Sequence, residues 1–165
     1  MKRLFAVAAL PLLGLTACGE PANIGNTYTD ADGNTITQII VADEVCRPTP
    51  NGRQVTACYL NLVAAADDRL VSVESPVAPR VQIHEMKMES NMMMMRPIEG
   101  GVPLTGGQVV NFTPGGNHIM LNGVREPLVE GDTVELTLKF DNAPDVTVTA
   151  RVGQPTEANE GFPNG

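Results

Sequence analysis

Short apolar or alternating runs, separated by clusters of Gly, Pro and Asn, constrain the fold of this chain more than any other feature. From residue 36 onward they recur at the spacing typical of an all-β sandwich or barrel. Near the C-terminus, Val134, Leu136, Leu138 and Phe140 alternate with polar residues, as expected for a strand with one buried face. No long helical periodicity competes with this pattern. The sequence therefore predicts one all-β domain over residues 36–152.

About eight strands are predicted within this domain, several of them bounded by recognisable turns. Pro50-Asn51-Gly52, Asn122-Gly123 and Asp141-Asn142-Ala143-Pro144 are among the turn signals. The predicted strands are Thr37 to Ala42, Val55 to Val63, Leu70 to Ser75, Arg80 to Met88, Gln108 to Phe112, Asn117 to Leu121, Thr133 to Phe140 and Val146 to Arg151. Residues 153–165 contain almost nothing apolar and are predicted to be a disordered tail.

The N-terminal 17 residues have the pattern of a secretory signal. Lys2 and Arg3 precede an apolar stretch, Leu4 to Thr16, that is too short to span a membrane. The sequence Leu15-Thr16-Ala17-Cys18 resembles a bacterial lipobox, which predicts cleavage after residue 17 and lipid attachment to Cys18. An ordinary signal peptide with an incidental cysteine is the alternative. We expect a protein of the bacterial cell envelope, facing the periplasm and held by acyl chains, with residues 18–35 as a flexible tether.

The charge balance of the chain is acidic. It carries 11 Lys+Arg against 19 Asp+Glu, a formal net charge of -8, and removal of the signal would take away two of the positive charges. Such a balance argues against nucleic acid and against anionic membrane surfaces as partners. It is also an ordinary means of keeping a protein soluble, so the charge alone identifies no partner.

Two cysteines remain once Cys18 is assigned to lipid. Cys46 and Cys58 form an even pair in an oxidising compartment, which predicts a disulfide across a hairpin. The alternative is that one of them is a copper thiolate in a blue copper electron-transfer site.

Both histidines of the chain stand in His-x-Met triplets. These are His84-Glu85-Met86 and His118-Ile119-Met120, and a methionine run, Met92 to Met95, lies between them. Side chains two apart on a strand point to the same face, so each triplet can offer an imidazole and a thioether to one ion. Thioether sulfur is a soft, neutral ligand that suits Cu(I), so the combination predicts a copper(I) site. Alternatively, the methionines fill the core of a chain that has 4 Phe, 2 Tyr and no Trp.

No catalytic constellation accompanies these ligands in the sequence. We find no Ser/His/Asp set and no paired carboxylates near a histidine. The glycine pairs, such as Gly100-Gly101 and Gly115-Gly116, precede no predicted helix and are better explained by β-turns than by phosphate binding. We therefore expect a metal carrier rather than an enzyme.

Beyond these patterns, the chain closely resembles the periplasmic copper chaperones called PCu(A)C over about residues 36–151. The specific core of that family is a histidine, a methionine about eleven positions later and then a His-x-Met; His84, Met95, His118 and Met120 fall on it. The segments that carry the resemblance are Ala57-Cys58-Tyr59-Leu60-Asn61-Leu62, Asp67-Asp68-Arg69-Leu70-Val71, Val81-Gln82-Ile83-His84-Glu85-Met86, Met95-Arg96-Pro97-Ile98-Glu99-Gly100-Gly101 and Pro114-Gly115-Gly116-Asn117-His118-Ile119-Met120-Leu121.

The resemblance implies a cupredoxin-like Greek-key β-sandwich that binds Cu(I) near its surface through these four residues, with Met86 as an auxiliary ligand. It further implies a monomer that delivers copper toward the CuA centre of cytochrome c oxidase subunit II, with Sco-type thiol proteins as fellow participants. Cys46 and Cys58 and the lipobox depart from the family pattern, and the C-terminal tail lacks the Met/His-rich extension of some relatives.

Two other functions remain open from the sequence. One is a copper-buffering or copper-resistance envelope lipoprotein without a dedicated acceptor. The other is a structural envelope lipoprotein whose methionines belong to the core, in which case His84 and His118 would lie far apart.

Overall fold

The computed structural model describes residues 28–29 and 35–155, with side chains from Thr37 onward. These residues form strands, turns and loops. The strands are β1 (Tyr28–Thr29), β2 (Thr35–Ile36), β3 (Ile39–Cys46), β4 (Val55–Ala64), β5 (Asp68–Glu74), β6 (Arg80–Glu89), β7 (Met92–Pro97), β8 (Val102–Leu104), β9 (Val109–Phe112), β10 (His118–Asn122), β11 (Thr133–Phe140) and β12 (Val146–Val152). In this part of the chain, no helix has the length and hydropathy needed to cross a membrane.

Strands β3 to β12 form one continuous sheet that folds over a shared core. The order is β7-β6-β10-β4-β3-β12-β11-β5-β8, and β9 pairs with the second half of β4 beyond the end of β10. All pairings between these strands are antiparallel except the short junction of β3 with β12, where Val45 and Cys46 meet Arg151 and Val152. Strands from both halves contribute to one apolar cluster, so the prediction of an all-β sandwich is confirmed.

Alternation within the strands builds this core. In β11, Val134, Leu136 and Leu138 are fully buried while Thr133 and Glu135 are exposed, as the sequence pattern predicts. The largest fully buried apolar side chains are Phe112, Leu60, Leu62, Leu70, Ile119, Leu121, Leu136 and Leu138. Because Ile119 and Leu121 of β10 point inward, the residues that alternate with them lie on the outer face of the sheet.

The structure adds strands that the sequence analysis did not predict. The methionine run, which lies outside the predicted strands, is strand β7, and it pairs with β6 in an unbroken register from Glu89↔Met92 to His84↔Pro97. Ser90 and Asn91 form the two-residue connection, both with positive φ, as in the turns that close tight hairpins. The prediction was wrong because methionine has little strand preference and Ser-Asn is a weak turn signal. Strand β8 was missed because it is only three residues long.

The domain boundaries also differ in detail from the prediction. Tyr28–Thr29 pairs with Thr35–Ile36, so part of the predicted tether forms a short ladder. At the other end, the N–H of Gly153 donates to the carbonyl of Cys46 at 2.9 Å, so the ordered chain continues past residue 152. The predicted signal, Cys18, most of the tether and residues 156–165 of the tail lie outside the described residues.

A buried carboxylate holds the β11–β12 turn against β5. Asp68 accepts N–H hydrogen bonds from Ala143 at 2.8 Å and Asn142 at 3.0 Å. Burial opposes ionisation, but these bonds and that from the N–H of Arg69 outweigh it and lower the pKa of Asp68. We expect Asp68→Ala to destabilise the fold by about 2–3 kcal/mol, because it leaves buried N–H groups without acceptors. Chemical denaturation should measure this, with the exposed Asp145→Ala as a control that changes stability by less than about 0.5 kcal/mol.

The difference in stability between wild type and Asp68→Ala should depend on pH in a definite direction. Because the pKa of Asp68 is lowered in the folded state, its contribution to the free energy of unfolding is present above the unfolded value and is lost as pH falls below about 4. The stability gap between wild type and Asp68→Ala should therefore shrink in acid. A gap that stays constant from pH 7 to 3 would contradict a role for the charged form.

Candidate metal centre

Strands β10, β6 and β7 lie side by side at one edge of the sheet and bring the predicted ligands together. The register of β6 and β10 places His118 directly opposite His84. The two ring centroids are 5.7 Å apart, with the planes at 82°. Ile83 and Ile119, next to them in sequence, are buried in the core, so both imidazoles lie on the outer face. The two His-x-Met segments therefore lie side by side on one face of the sheet, as a single metal site would require.

A turn before β10 fixes the ring of His118. The N–H of Gly116 closes this turn by donating to the carbonyl of Thr113 at 2.9 Å, and Gly115 within it has a φ of 81°, which glycine adopts readily. The carbonyl of Gly116 then lies 3.0 Å from Nδ1 of His118. A carbonyl can only accept, so Nδ1 carries the hydrogen of the neutral ring and donates it. Nε2 keeps a free lone pair, as metal ligation requires.

That lone pair faces the sulfur of Met95. The distance from Nε2 of His118 to Sδ of Met95 is 3.2 Å. Met95 lies on β7, two strands from β10, so its side chain crosses over β6 to reach the imidazole. Neither atom carries a hydrogen when the ring is neutral, so two electron-pair donors converge. Nitrogen and sulfur ligands of one ion, at the zinc distances of about 2.0 and 2.3 Å, would lie about 3.5 Å apart in a tetrahedral site, so a small adjustment admits a cation.

Met120 and Met86 flank this contact on the same face. Met120 lies opposite Gln82 and is two residues from His118 along β10. Met86 lies opposite Met95. Long side chains reach diagonal neighbours on a sheet, so both thioethers can approach the His118–Met95 pair. Met95 is 49% exposed, so the site opens to solvent on the β7 side.

His84 completes the site with an orphaned polar atom. Its Nδ1 is buried without a hydrogen-bond partner. Such an arrangement costs free energy unless another group binds to the atom. Burial, and then the nearby His118, lower the pKa of His84 below its ordinary value. The imidazole therefore remains neutral, and able to bind a metal, to a lower pH than a solvated histidine would.

Two residues that the sequence analysis did not assign to the site cover it, Tyr59 on β4 and Arg47, which directly follows β3. The ring of Tyr59 lies 6.4 Å from that of His118, and the guanidinium of Arg47 lies 5.5 Å from the centre of the Tyr59 ring. Burial raises the pKa of Tyr59, with Arg47 acting in the opposite direction. His118 is only 5% exposed beneath this cover. The signal in the sequence was the position of Tyr59 next to inward-facing Cys58, which places it on the outer face.

The cysteines are structural. Cys46 and Cys58 lie opposite each other on β3 and β4 and are joined as a disulfide, and both are fully buried. Cys58 pairs with Ile119 and points into the core, away from His118 and Met120. A copper thiolate of the blue copper type is therefore incompatible with this arrangement, because both sulfurs are bonded and lie on the other face of the sheet.

The methionines of the hairpin do not fill the core. Met88 and all four residues of the run are among the exposed large hydrophobic side chains, with between 39% and 62% of their surface accessible. Within the described residues, no three His, Cys, Asp or Glu side chains group together as a metal site. The donor groups gathered at this edge are two imidazoles and several thioethers, which are soft and uncharged.

Comparisons with known proteins found similarity to proteins that carry lipoprotein names. The family model LpqE-like, described as "Putative lipoprotein LpqE-like", matches residues 39–152. A protein of Leifsonia xyli subsp. xyli named "Putative lipoprotein Lxx21020" is 29% identical over 166 residues, which cover 98% of this chain and 95% of that protein.

Solved structures show the same fold. The copper-bound PCuAC domain from PmoF2 superposes with a TM-score of 0.59 at 28% identity, over 71% of this chain and 93% of that domain. Apo-DR1885 from Deinococcus radiodurans superposes with a TM-score of 0.52 over 96% of this chain and all of that chain. At 20% identity, the second comparison shows likeness of fold alone.

Proposed function

The chain belongs to the LpqE-like family, and from that premise we propose that it is a copper(I) chaperone of the bacterial cell envelope, anchored through lipid on Cys18. In this proposal, His84, Met95, His118 and Met120 hold the ion, Met86 assists, and copper passes toward the CuA centre of cytochrome c oxidase. The observation that carries it is the 3.2 Å approach of His118 Nε2 to Met95 Sδ, with Nδ1 of the same ring donating to the carbonyl of Gly116.

The ligand chemistry favours the cuprous ion. Imidazole and thioether are neutral and soft enough for Cu(I), and no carboxylate is supplied to stabilise Cu(II). The lipoprotein name of the Leifsonia relative and the copper in the PmoF2 domain support the anchor and the cargo, respectively. Partial exposure of Met95 supports release, because an incoming thiolate or thioether can displace it by ligand exchange.

The proposal is tested by competition of the purified protein with a Cu(I) chelator under reducing conditions. One tightly bound Cu(I) is expected, with little affinity for Zn(II). Preference for Zn(II), or no tight Cu(I), would refute the proposal. Mixing the loaded protein with the soluble domain of cytochrome c oxidase subunit II then separates the two copper functions, because a chaperone transfers the ion and a buffering lipoprotein retains it.

Copper affinity should fall in acid. Each imidazole must be neutral to bind, so protons compete with Cu(I) as the pH falls through the ordinary histidine range, whereas thioethers do not titrate. For His84 the competition begins lower still, because its pKa is lowered. The chelator competition repeated from pH 7.5 to 5 measures this, and a flat profile would count against histidine ligation.

The methionines of the run should differ in their effect on Cu(I) affinity according to the face of β7 on which they lie. Met95→Leu is expected to weaken Cu(I) binding, but less than the loss of His118, because Met86 and Met93 share its face and can move toward the ion. Met92→Leu with Met94→Leu should leave the affinity unchanged, because these two side chains point to the opposite face. Equal damage from both sets would mean that the run acts through packing rather than as ligands.

A further inference from the structure

The β6–β7 hairpin carries more thioethers than the four-ligand site uses. Its two strands are joined by only Ser90 and Asn91, with φ of 47° and 64°, and the register is continuous along the whole hairpin. Met86 lies opposite Met95, and Met88 lies opposite Met93, one step nearer the tip. The outer residues Met88 and Met93 are not among the residues assigned above to the His84–His118 site.

The hydrogen-bond pattern places these methionines where side chains are closest. The N–H of Ile98 donates to the carbonyl of Ile83 at 2.8 Å, which identifies that pair as hydrogen-bonded. Pairs alternate along an antiparallel ladder, so Met86 with Met95 and Met88 with Met93 are non-hydrogen-bonded pairs. In such pairs the Cα atoms are only about 4.5 Å apart, and their side chains approach more closely than in the alternate pairs.

The two faces of the hairpin differ in chemistry. From His84 to the tip of the hairpin, β6 carries Met86 and Met88 on the face shared with the histidines and no charged residue; Arg80 is on this face but lies at the far end of the strand. The opposite face carries the charged side chains, and Arg96 pairs there with Glu89. Met88 and Met93 are 62% and 48% exposed, so burial in the core does not account for them. The charge-free thioether face continues directly from the His84–His118 site to the tip.

We propose that Met88 and Met93 form a second site for a soft monovalent cation, Cu(I) or Ag(I), beside the histidine site, and that Met86, the auxiliary residue between the two sites, can contact either ion. Unbranched methionine side chains have three rotatable bonds, so sulfurs from two adjacent rungs can converge on one ion. Neutral thioethers with no competing charge select a soft monocation. The site binds more weakly than the histidine site, because exposed side chains must be ordered and no imidazole takes part. The proposal rests on the proposed function for the identity of its natural ion, but not for its ligands.

Silver provides the probe because Ag(I) does not change oxidation state under these conditions. The full chain is titrated with Ag(I), and bound ions are counted by native mass spectrometry and isothermal titration calorimetry. Wild type is expected to bind two ions in separated steps. Met88→Leu with Met93→Leu should abolish the weaker step and leave the tighter one unchanged, since leucine preserves volume but supplies no ligand. Met92→Leu with Met94→Leu, on the opposite face, should retain both steps.

His118→Ala separates failure of this site from failure of the proposed function. With both sites present, His118→Ala removes the tight step and keeps the weak one. A single ion in wild type that is lost in His118→Ala would overturn the second site and leave the proposed function standing. A single ion that persists in His118→Ala but is lost in the Met88, Met93 double variant would support the hairpin site and refute the proposed function. Equal loss of the weak step in both hairpin double variants would overturn the second site.

Discussion

Replacing His118 by alanine is expected to lower the Cu(I) affinity by more than about 100-fold. The variant removes the Nε2 donor that faces Met95 and also the partner of His84 on the adjacent strand. Loss of a group that merely orients a ligand already costs about 10–100-fold in metal affinity, so loss of the ligand itself should exceed that range. Competition with a Cu(I) chelator at pH 7.5 measures the change.

The control for this prediction is the fold of the copper-free variant. His118 is buried, so alanine also removes packing against Tyr59, and thermal unfolding must show that the domain still folds. His84→Ala is a second test, because His84 is less buried and its loss disturbs packing less. An affinity within tenfold of wild type for either folded variant would contradict ligation by that histidine.

Removing the disulfide is expected to destabilise the domain by about 2–3 kcal/mol while leaving copper binding intact. The bridge between Cys46 and Cys58 closes a short loop, with a sequence separation of 12. In the chain-entropy model, a short loop gives a stabilisation near the lower end of the range typical of disulfides. The sulfurs are on the core face, whereas the ligands are on the outer face, so the site should survive. Denaturant unfolding of the double serine variant measures the stability, and a domain has only about 5–15 kcal/mol in total.

Copper binding by the double serine variant must be measured where it is fully folded. Thiol titration of the denatured, unreduced protein provides the companion control, because Cys46 and Cys58 should contribute no free thiol. Loss of Cu(I) affinity with an intact fold would show that the disulfide positions β4 and Tyr59 for binding rather than serving stability alone.

Strands with clear alternation were predictable from the sequence. In β11, inward Val134, Leu136 and Leu138 satisfy the period of a half-buried strand, and burial of one face enforces that pattern. Strand β7 was not predictable in this way, because exposed methionines on both of its faces show no alternation of polarity. Its pairing with β6 depends on the Ser90–Asn91 turn and on the ladder itself.

The candidate site was also predictable from the sequence only in part. The sequence predicted His84, Met95, His118 and Met120 as one ligand set, because the types and spacing of the residues resemble a known motif. It did not identify Tyr59 as the cover of His118, because that contact joins strands whose neighbourhood is not encoded in local spacing. It also could not tell which methionines of the run point toward the histidines.

By itself, the sequence determined which residues share a face within each strand, since the side-chain period of a strand is two. It thereby placed His84 with Met86, and His118 with Met120. Only the tertiary structure decided that β6 and β10 are neighbours in the register that puts His84 opposite His118, and that Met95 crosses β6 to reach Nε2. Register depends on how all inward side chains pack together, and a slip of one residue between two strands would turn one set of ligands to the opposite face.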